Sequence, residues 1–362
     1  MARLYFATNR RLNVTKALRV KSFKTKLDRD APYLFRVGVT KVAADPGDEN
    51  APWQVGASHL YPEDPNAPQP LRGSAALFAE LNKELKGSQR ELVVYIHGFN
   101  TSFKEAMQTA AQIRRRFGKP GREPVVVVFS WPSNGRTMPW SDYYSDRRDA
   151  EASANALARF AERFLEFADE IEAADKQTLR DAKGNVSREA LRDCGRRVNI
   201  IAHSMGTYAL RHALQALRRT RGLRPGGRRF SDIFLVAPDE DEDALTHPDK
   251  LGPLTDIAHH VHLYHAKNDF ILFGSDFTKG NPDRLGAAGP ASFTDLSPRV
   301  FAIDCNEVSG GPGLLSTRHG YFDDRPEVVD DIALTLLGVP PDDRPERRVR
   351  RPNQQWSLKR RP

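Results

Sequence analysis

Two cysteines in 362 residues, Cys194 and Cys305, are too few for a disulfide framework, and neither stands in a Cys-x-x-Cys pair or at ligand spacing from a histidine. Cross-linking and a cysteine-based metal centre are therefore not expected. No stretch of eighteen residues is mainly apolar and free of charges and strong breakers, so the sequence offers no helical membrane span. The opening Met1-Ala2-Arg3-Leu4-Tyr5 lacks the basic-then-apolar layout of a secretory signal, and the expected location is cytoplasmic. Neither Gly-x-x-x-x-Gly-Lys-Ser/Thr nor Gly-x-Gly-x-x-Gly after a strand occurs, which leaves nucleotide and dinucleotide binding without a motif. Internal repeats are absent too.

What is present is an ordinary globular balance, 39% hydrophobic and 28% charged residues, with length enough for one large α/β core or two modest ones. The formal net charge of +8 is unevenly spread. Residues 1–29 carry +8 and residues 340–362 carry +5, so the body between them is mildly acidic at −5.

Short apolar stretches bounded by turn residues predict strands near Leu4–Ala7, Tyr33–Val39 and Gln54–Ala57, with loops over the Pro-, Asp- and Gly-rich 44–74. From Leu92 onward, apolar runs alternate with helical segments, which is the pattern of β-α-β units and a parallel sheet. Strands are predicted at 92–96, 125–130, 198–202, 232–237, 261–265 and 299–303, with helices at 103–117, 148–173, 205–219 and 326–338. Ala174–Arg197 reads as a polar insertion. The fold class is α/β, with a domain over 1–338 (N-terminal strands 1–90, catalytic core 91–338) and a flexible basic tail over 339–362.

The strongest chemical signal is Val198-Asn199-Ile200-Ile201-Ala202-His203-Ser204-Met205-Gly206, an apolar strand entering a small-x-Ser-x-Gly turn and then a helix. A serine on such a tight turn needs small neighbours, and the turn projects its hydroxyl while the next N–H faces the substrate oxygen. Upstream, the strand Leu92–Ile96 ends in His97-Gly98-Phe99-Asn100, where a glycine-softened loop can supply a second backbone donor. Phe99 and Met205 are thus the expected oxyanion donors. Serine also needs a base, and the base an acid to orient it. In the chain order Ser, Asp, His, only His319 follows the last strand. Asp269, just past the strand 261–265, is the preferred acid, with Asp239 as its competitor and Asp276 and Asp304 behind them.

On these residues, together with Phe6-Ala7-Thr8-Asn9-Arg10, Phe129-Ser130-Trp131-Pro132-Ser133 and Ala237-Pro238-Asp239, the chain resembles the α/β-hydrolase superfamily. More narrowly it resembles that superfamily's uncharacterised bacterial esterase/lipase-like branch, a domain of unknown function. The resemblance spans about residues 1–338 and implies a mostly parallel eight-stranded sheet flanked by helices, with a Ser-Asp-His triad at Ser204, Asp269 and His319. Ala202 replaces the usual first glycine of the elbow, and the resemblance names no substrate.

The expected activity is a serine hydrolase acting on carboxylic esters of short to medium acyl chain, a small-molecule substrate, with no cofactor. Trp131, Trp140 and Tyr144 lie after the strand 125–130, where a substrate pocket would form. His260 and His262 alternate along one strand and offer metal-ligand nitrogens, but an activated serine needs no metal, and no metal site is expected. The carboxylate run Asp239–Asp243 reads as a solvated helix start. The alternative is a hydrolase-fold scaffold binding nucleic acid, an anionic membrane or a protein partner through its basic termini. The sequence leaves oligomeric state open.

Overall fold

The computed structural model of the protein describes residues 1–29, 35–45, 47–48, 51–62, 73–85, 91–133, 141–178, 180, 185, 196–222, 227–267, 283–310, 319–340, 348–352 and 355–360. It forms two compact units, Met1–Arg197 and Val198–Pro362.

The first unit holds seven strands: β1 (Ala2–Thr8), β2 (Arg10–Val14), β3 (Arg19–Leu27), β4 (Arg36–Ala43), β5 (Gln54–Leu60), β6 (Leu92–Ile96) and β7 (Val125–Ser130). They lie in the order β6-β7-β1-β4-β5-β3-β2. β6, β7 and β1 run parallel, and the remainder pair antiparallel. Leu92-Val93-Val94-Tyr95-Ile96 and Val125-Val126-Val127-Val128-Phe129-Ser130 are buried at every position, as strands covered on both faces must be. β2 and β3 are largely exposed and rich in Lys and Arg, which is why their hydrophobic pattern gives no strand signal.

Two helices depart from expectation. Gly73–Leu85 buries Leu77, Phe78, Leu81 and Leu85 at helical spacing, and no helix was expected there. The helix expected over 148–173 is two, Ser141–Ala152 and Ala154–Thr178. The break is at Ser153, whose hydroxyl donates to the Asp149 carbonyl (2.7 Å) and accepts from Asn9 (2.9 Å). A serine bonding back to the preceding turn competes with the helix ladder.

The second unit holds β8 (Val198–His203), β9 (Phe230–Val236), β10 (Ala258–His265), β11 (Val300–Asp304), β12 (Arg348–Arg350) and β13 (Gln355–Leu358), in the order β8-β9-β10-β11-β13-β12. All neighbours with a described register are parallel except the hairpin β12–β13. The helix Met205–Arg221 follows β8, and Pro326–Leu336 opens with proline at its first turn. The fold is therefore α/β and mostly parallel around its buried strands. It has thirteen strands among the described residues where eight were expected, the surplus being antiparallel additions near both ends of the chain.

The basic C-terminal segment, expected to be a flexible tail, is a second departure. β13 pairs with β11, and Trp356 and Leu358 are buried at the two-residue period of a strand. Arg348 is fully buried and donates to Asp331 at 2.9 Å, and Asp331 also accepts from the Tyr264 hydroxyl at 2.7 Å. The Arg348 guanidinium lies over the rings of Trp356 (5.6 Å) and Phe301 (5.9 Å). Its charge is thus consumed internally. Removing one partner of a buried ion pair strands the other charge, so Arg348→Ala is expected to destabilise the fold by about 3–5 kcal/mol. Urea denaturation measures this, and an unchanged midpoint would contradict the assignment.

Candidate active site

Ser204 stands between the last residue of β8 and the first of the helix Met205–Arg221, with φ 52° and ψ −126°. Four non-glycine residues of the described chain have positive φ, Leu18, Asn100, Ser204 and Ala237. Such a conformation costs a residue with a side chain about 1–3 kcal/mol and persists only where neighbours over-determine it. Here they do. The Ser204 N–H donates to the Val236 carbonyl (3.0 Å), and its own carbonyl accepts from Thr207 (2.9 Å) and Asp239 (3.2 Å). A serine before a helix ordinarily caps it, but this hydroxyl makes no capping hydrogen bond. Met205, fully buried, is the first helical residue, and its N–H is one of the initial donors without an intrahelical acceptor.

His319 is brought beside this turn. The His203 Nε2–H donates to the His319 carbonyl (3.1 Å), and the two imidazoles lie 4.8 Å apart. Phe322 packs on His203 at the same separation. Further along, the Tyr321 hydroxyl donates to the Tyr264 carbonyl at 2.9 Å, tying the His319 segment to the end of β10. His203 and Tyr321 therefore hold the His319 segment in place, contacts that sequence reasoning missed, since only the fold makes them neighbours of His319 and β10. Asp269, Asp276 and Trp140 lie outside the described residues.

Asp239 is buried with its carboxylate 3.5 Å from the equally buried Arg284. Glu240 pairs with Arg211 at 3.0 Å, and Asp241 with Arg284 (3.1 Å) and Lys250 (2.9 Å). The run 239–243 is thus no solvated helix start. It is a set of turns whose first two carboxylates are buried against arginines, because β9 delivers them below the surface.

In the first unit, the segment after β6 is held as tightly. His97 is fully buried, its Nδ1–H donating to the Gly98 carbonyl (2.9 Å) while Nε2 faces the Ser130 hydroxyl (3.4 Å). Burial foremost, with the nearby Arg10 charge, pulls its pKa down to about 3, so it stays neutral at pH 7. Trp131, expected to line a substrate pocket, is instead fully buried. It stacks on His97 at 5.0 Å and donates its indole N–H to the His97 carbonyl at 2.8 Å. Arg10 spans the unit, donating to Ser130 (2.9 Å), the Ser133 carbonyl (3.1 Å) and the Thr101 carbonyl (2.8 Å). Asp146 accepts from the Asn100 N–H at 3.2 Å, fixing Asn100 at φ 54°. Phe99 stands one residue earlier, its ring 5.6 Å from Tyr143. Tyr144 is exposed.

Among the described residues, one group could hold a metal ion, Asp232, His260 and His262. No helix among the described residues is long and apolar enough to cross a membrane.

A serine at a strained strand-to-helix turn on a mostly parallel α/β sheet defines the α/β-hydrolase class. The model of a family described as alpha/beta hydrolase of unknown function (DUF900) matches residues 74–174 and 172–339, and the chain belongs to that family. A protein of Nostoc sp. described as uncharacterized is 26% identical over 249 residues, a match covering 57% of this chain and 58% of the relative. The chain therefore spans less than two thirds of that relative's length. No solved structure matches the chain significantly.

A buried histidine that stays neutral when folded takes up a proton more readily when unfolded. His97 therefore withdraws stability as pH falls from about 6.5 toward about 3. His97→Asn is expected to flatten the stability profile between pH 7 and pH 4, measured by denaturant midpoints at each pH. Parallel profiles for the two proteins would contradict it.

Proposed function

We propose that this α/β hydrolase is a serine esterase acting on carboxylic esters of short to medium acyl chain. The observation that carries the reading is Ser204 itself, a non-glycine residue held at φ 52° by three backbone hydrogen bonds, with a hydroxyl that does not cap the helix behind it. Strain of this kind clusters at functional sites, and on a serine whose hydroxyl is left uncapped it serves to present a nucleophile.

In the proposed reaction the Ser204 oxygen attacks the acyl carbon while His319 takes the hydroxyl proton. The negative charge moves to the carbonyl oxygen, where the Met205 N–H receives it; the sequence assigns a second donor to Phe99. The intermediate collapses by breaking the bond to the alcohol oxygen, which leaves with the proton from His319. Water then attacks the acyl-serine, again giving its proton to His319, and the acid departs as Ser204 is restored. Asp269 is the proposed acid that fixes the His319 tautomer, and the clamp from His203 fits a segment that must hold its position through four proton transfers, two in acylation and two in deacylation.

Hydrolysis of p-nitrophenyl esters of increasing chain length tests this. Wild type is expected to turn over, with Ser204→Ala and His319→Ala each reducing kcat by about 10⁴-fold or more. Folded wild type without turnover on any chain length, or Ser204→Ala retaining it, would overturn the esterase reading.

A further inference from the structure

Away from the elbow, a separate cluster lies near the start of β9 and β10. Asp232, His260 and His262 each offer one ligand atom, and these atoms all lie within 4.8 Å of one another. The strand register brings them together. His260 stands opposite Asp232, and His262, two residues on, shares its face. The Asp232 carboxylate is 2.8 Å from His262 Nε2 and 3.4 Å from His260 Nδ1.

Several features set this cluster apart from an ordinary surface pair. The Asp232 and His262 side chains are 8% and 2% exposed, whereas His260 is 50% exposed, so the cluster is rooted in the sheet and open at one corner. The His262 ring is sandwiched between Phe234 (5.0 Å, 17°) and Phe301 (5.2 Å, 13°), its register partners on β9 and β11. That stacking fixes its Nε2 toward Asp232. A buried carboxylate needs a compensating charge. Among the described residues, the ion-pair partners of Asp232 are these two imidazoles, and Arg348, which lies over Phe301, is committed to Asp331.

We propose that Asp232, His260 and His262 form a binding site for one zinc ion, bridging β9 to β10. Two imidazoles and a carboxylate are a donor set that suits zinc, and three protein ligands leave the fourth position to water. Zinc bonds of about 2.0–2.1 Å in a tetrahedron separate ligand atoms by about 3.4 Å. The Asp232–His260 spacing has that value, the Asp232–His262 contact opens by about 0.6 Å, and the widest pair closes by at most about 1.4 Å. The half-exposed His260 provides both the entry path and the movable ligand.

Four residues of strand, about 13 Å, separate Asp232 from Val236, which holds Ser204. The ion would thus act as a staple between two central strands and take no part in ester cleavage. His-x-His is visible in the sequence, but the carboxylate that completes the set lies 28 positions upstream and joins only through pairing of β9 with β10. The expectation that the chain holds no metal rested on an activated serine needing none, with the two histidines as the only ligands weighed.

Untagged full-length protein, stripped with a chelator and dialysed, would be titrated with Zn²⁺ calorimetrically and with Co²⁺ by visible absorption. The expected result is one Zn²⁺ per chain and a tetrahedral Co²⁺ spectrum in wild type. His260→Ala, at a half-exposed position, should lose the Co²⁺ spectrum and bind Zn²⁺ at least about 100-fold more weakly. Asp232→Asn should act in the same direction, and His260→Ala decides the matter if that buried variant fails to fold. Wild type without stoichiometric Zn²⁺, or His260→Ala binding as wild type does, would overturn the site. Neither readout depends on ester turnover.

Discussion

Ser204 occupies a backbone conformation that serine avoids, and the surrounding chain is arranged to hold it there. The Val236 carbonyl, at the end of β9, takes its N–H, while the first turn of the following helix and the Asp239 N–H take its carbonyl. These bonds require β8 and β9 to end at the same level, which the parallel register His203 opposite Val236 provides. Ala237, next along, is itself at φ 45° and bonds to the Tyr264 carbonyl, so the strain continues to the end of β10. The strand ends behave as one linked set, and a shift in any of them would release Ser204 toward an ordinary helix cap.

The loop bearing His319 is fixed to the same ends through His203 and Tyr321. Tyr264 is the common point. Its carbonyl receives both the Ala237 N–H and the Tyr321 hydroxyl, and its own hydroxyl reaches Asp331, which Arg348 neutralises. The C-terminal strands thereby support the strand ends from below, which gives the basic end of the chain a structural role.

The buried parallel strands and the helix after Ser204 were legible because continuous Val/Ile/Leu runs and a small-x-Ser-x-Gly turn are local signals. The elements that escaped the sequence obey the same physics with weaker local signs. β2 and β3 are stabilised by pairing and, Arg10 apart, present their lysines and arginines outward, so neither alternation nor apolar content marks them. β13 hides Trp356 and Leu358 beside a charge run, and its partner β11 lies some fifty residues away. Likewise the order of Ser and His in the chain could be read from the sequence. Contacts such as His203 with His319, Trp131 with His97, and Asp232 with His260 exist only once the strands pair. Burial of Trp131 beneath the His97 segment also shows why an aromatic after a strand end is a poor guide to a pocket wall.

The central claim is that Ser204 is an activated nucleophile served by His319. Its most direct test is to treat the protein with a fluorophosphonate, map the adduct by peptide mass spectrometry, and solve the crystal structure of the labelled protein. The account predicts one phosphonyl group per chain, bonded to the Ser204 oxygen, with a His319 ring nitrogen within hydrogen-bonding distance of the former hydroxyl oxygen. An adduct on another residue, no adduct on folded protein, or a labelled Ser204 with His319 turned away would contradict it.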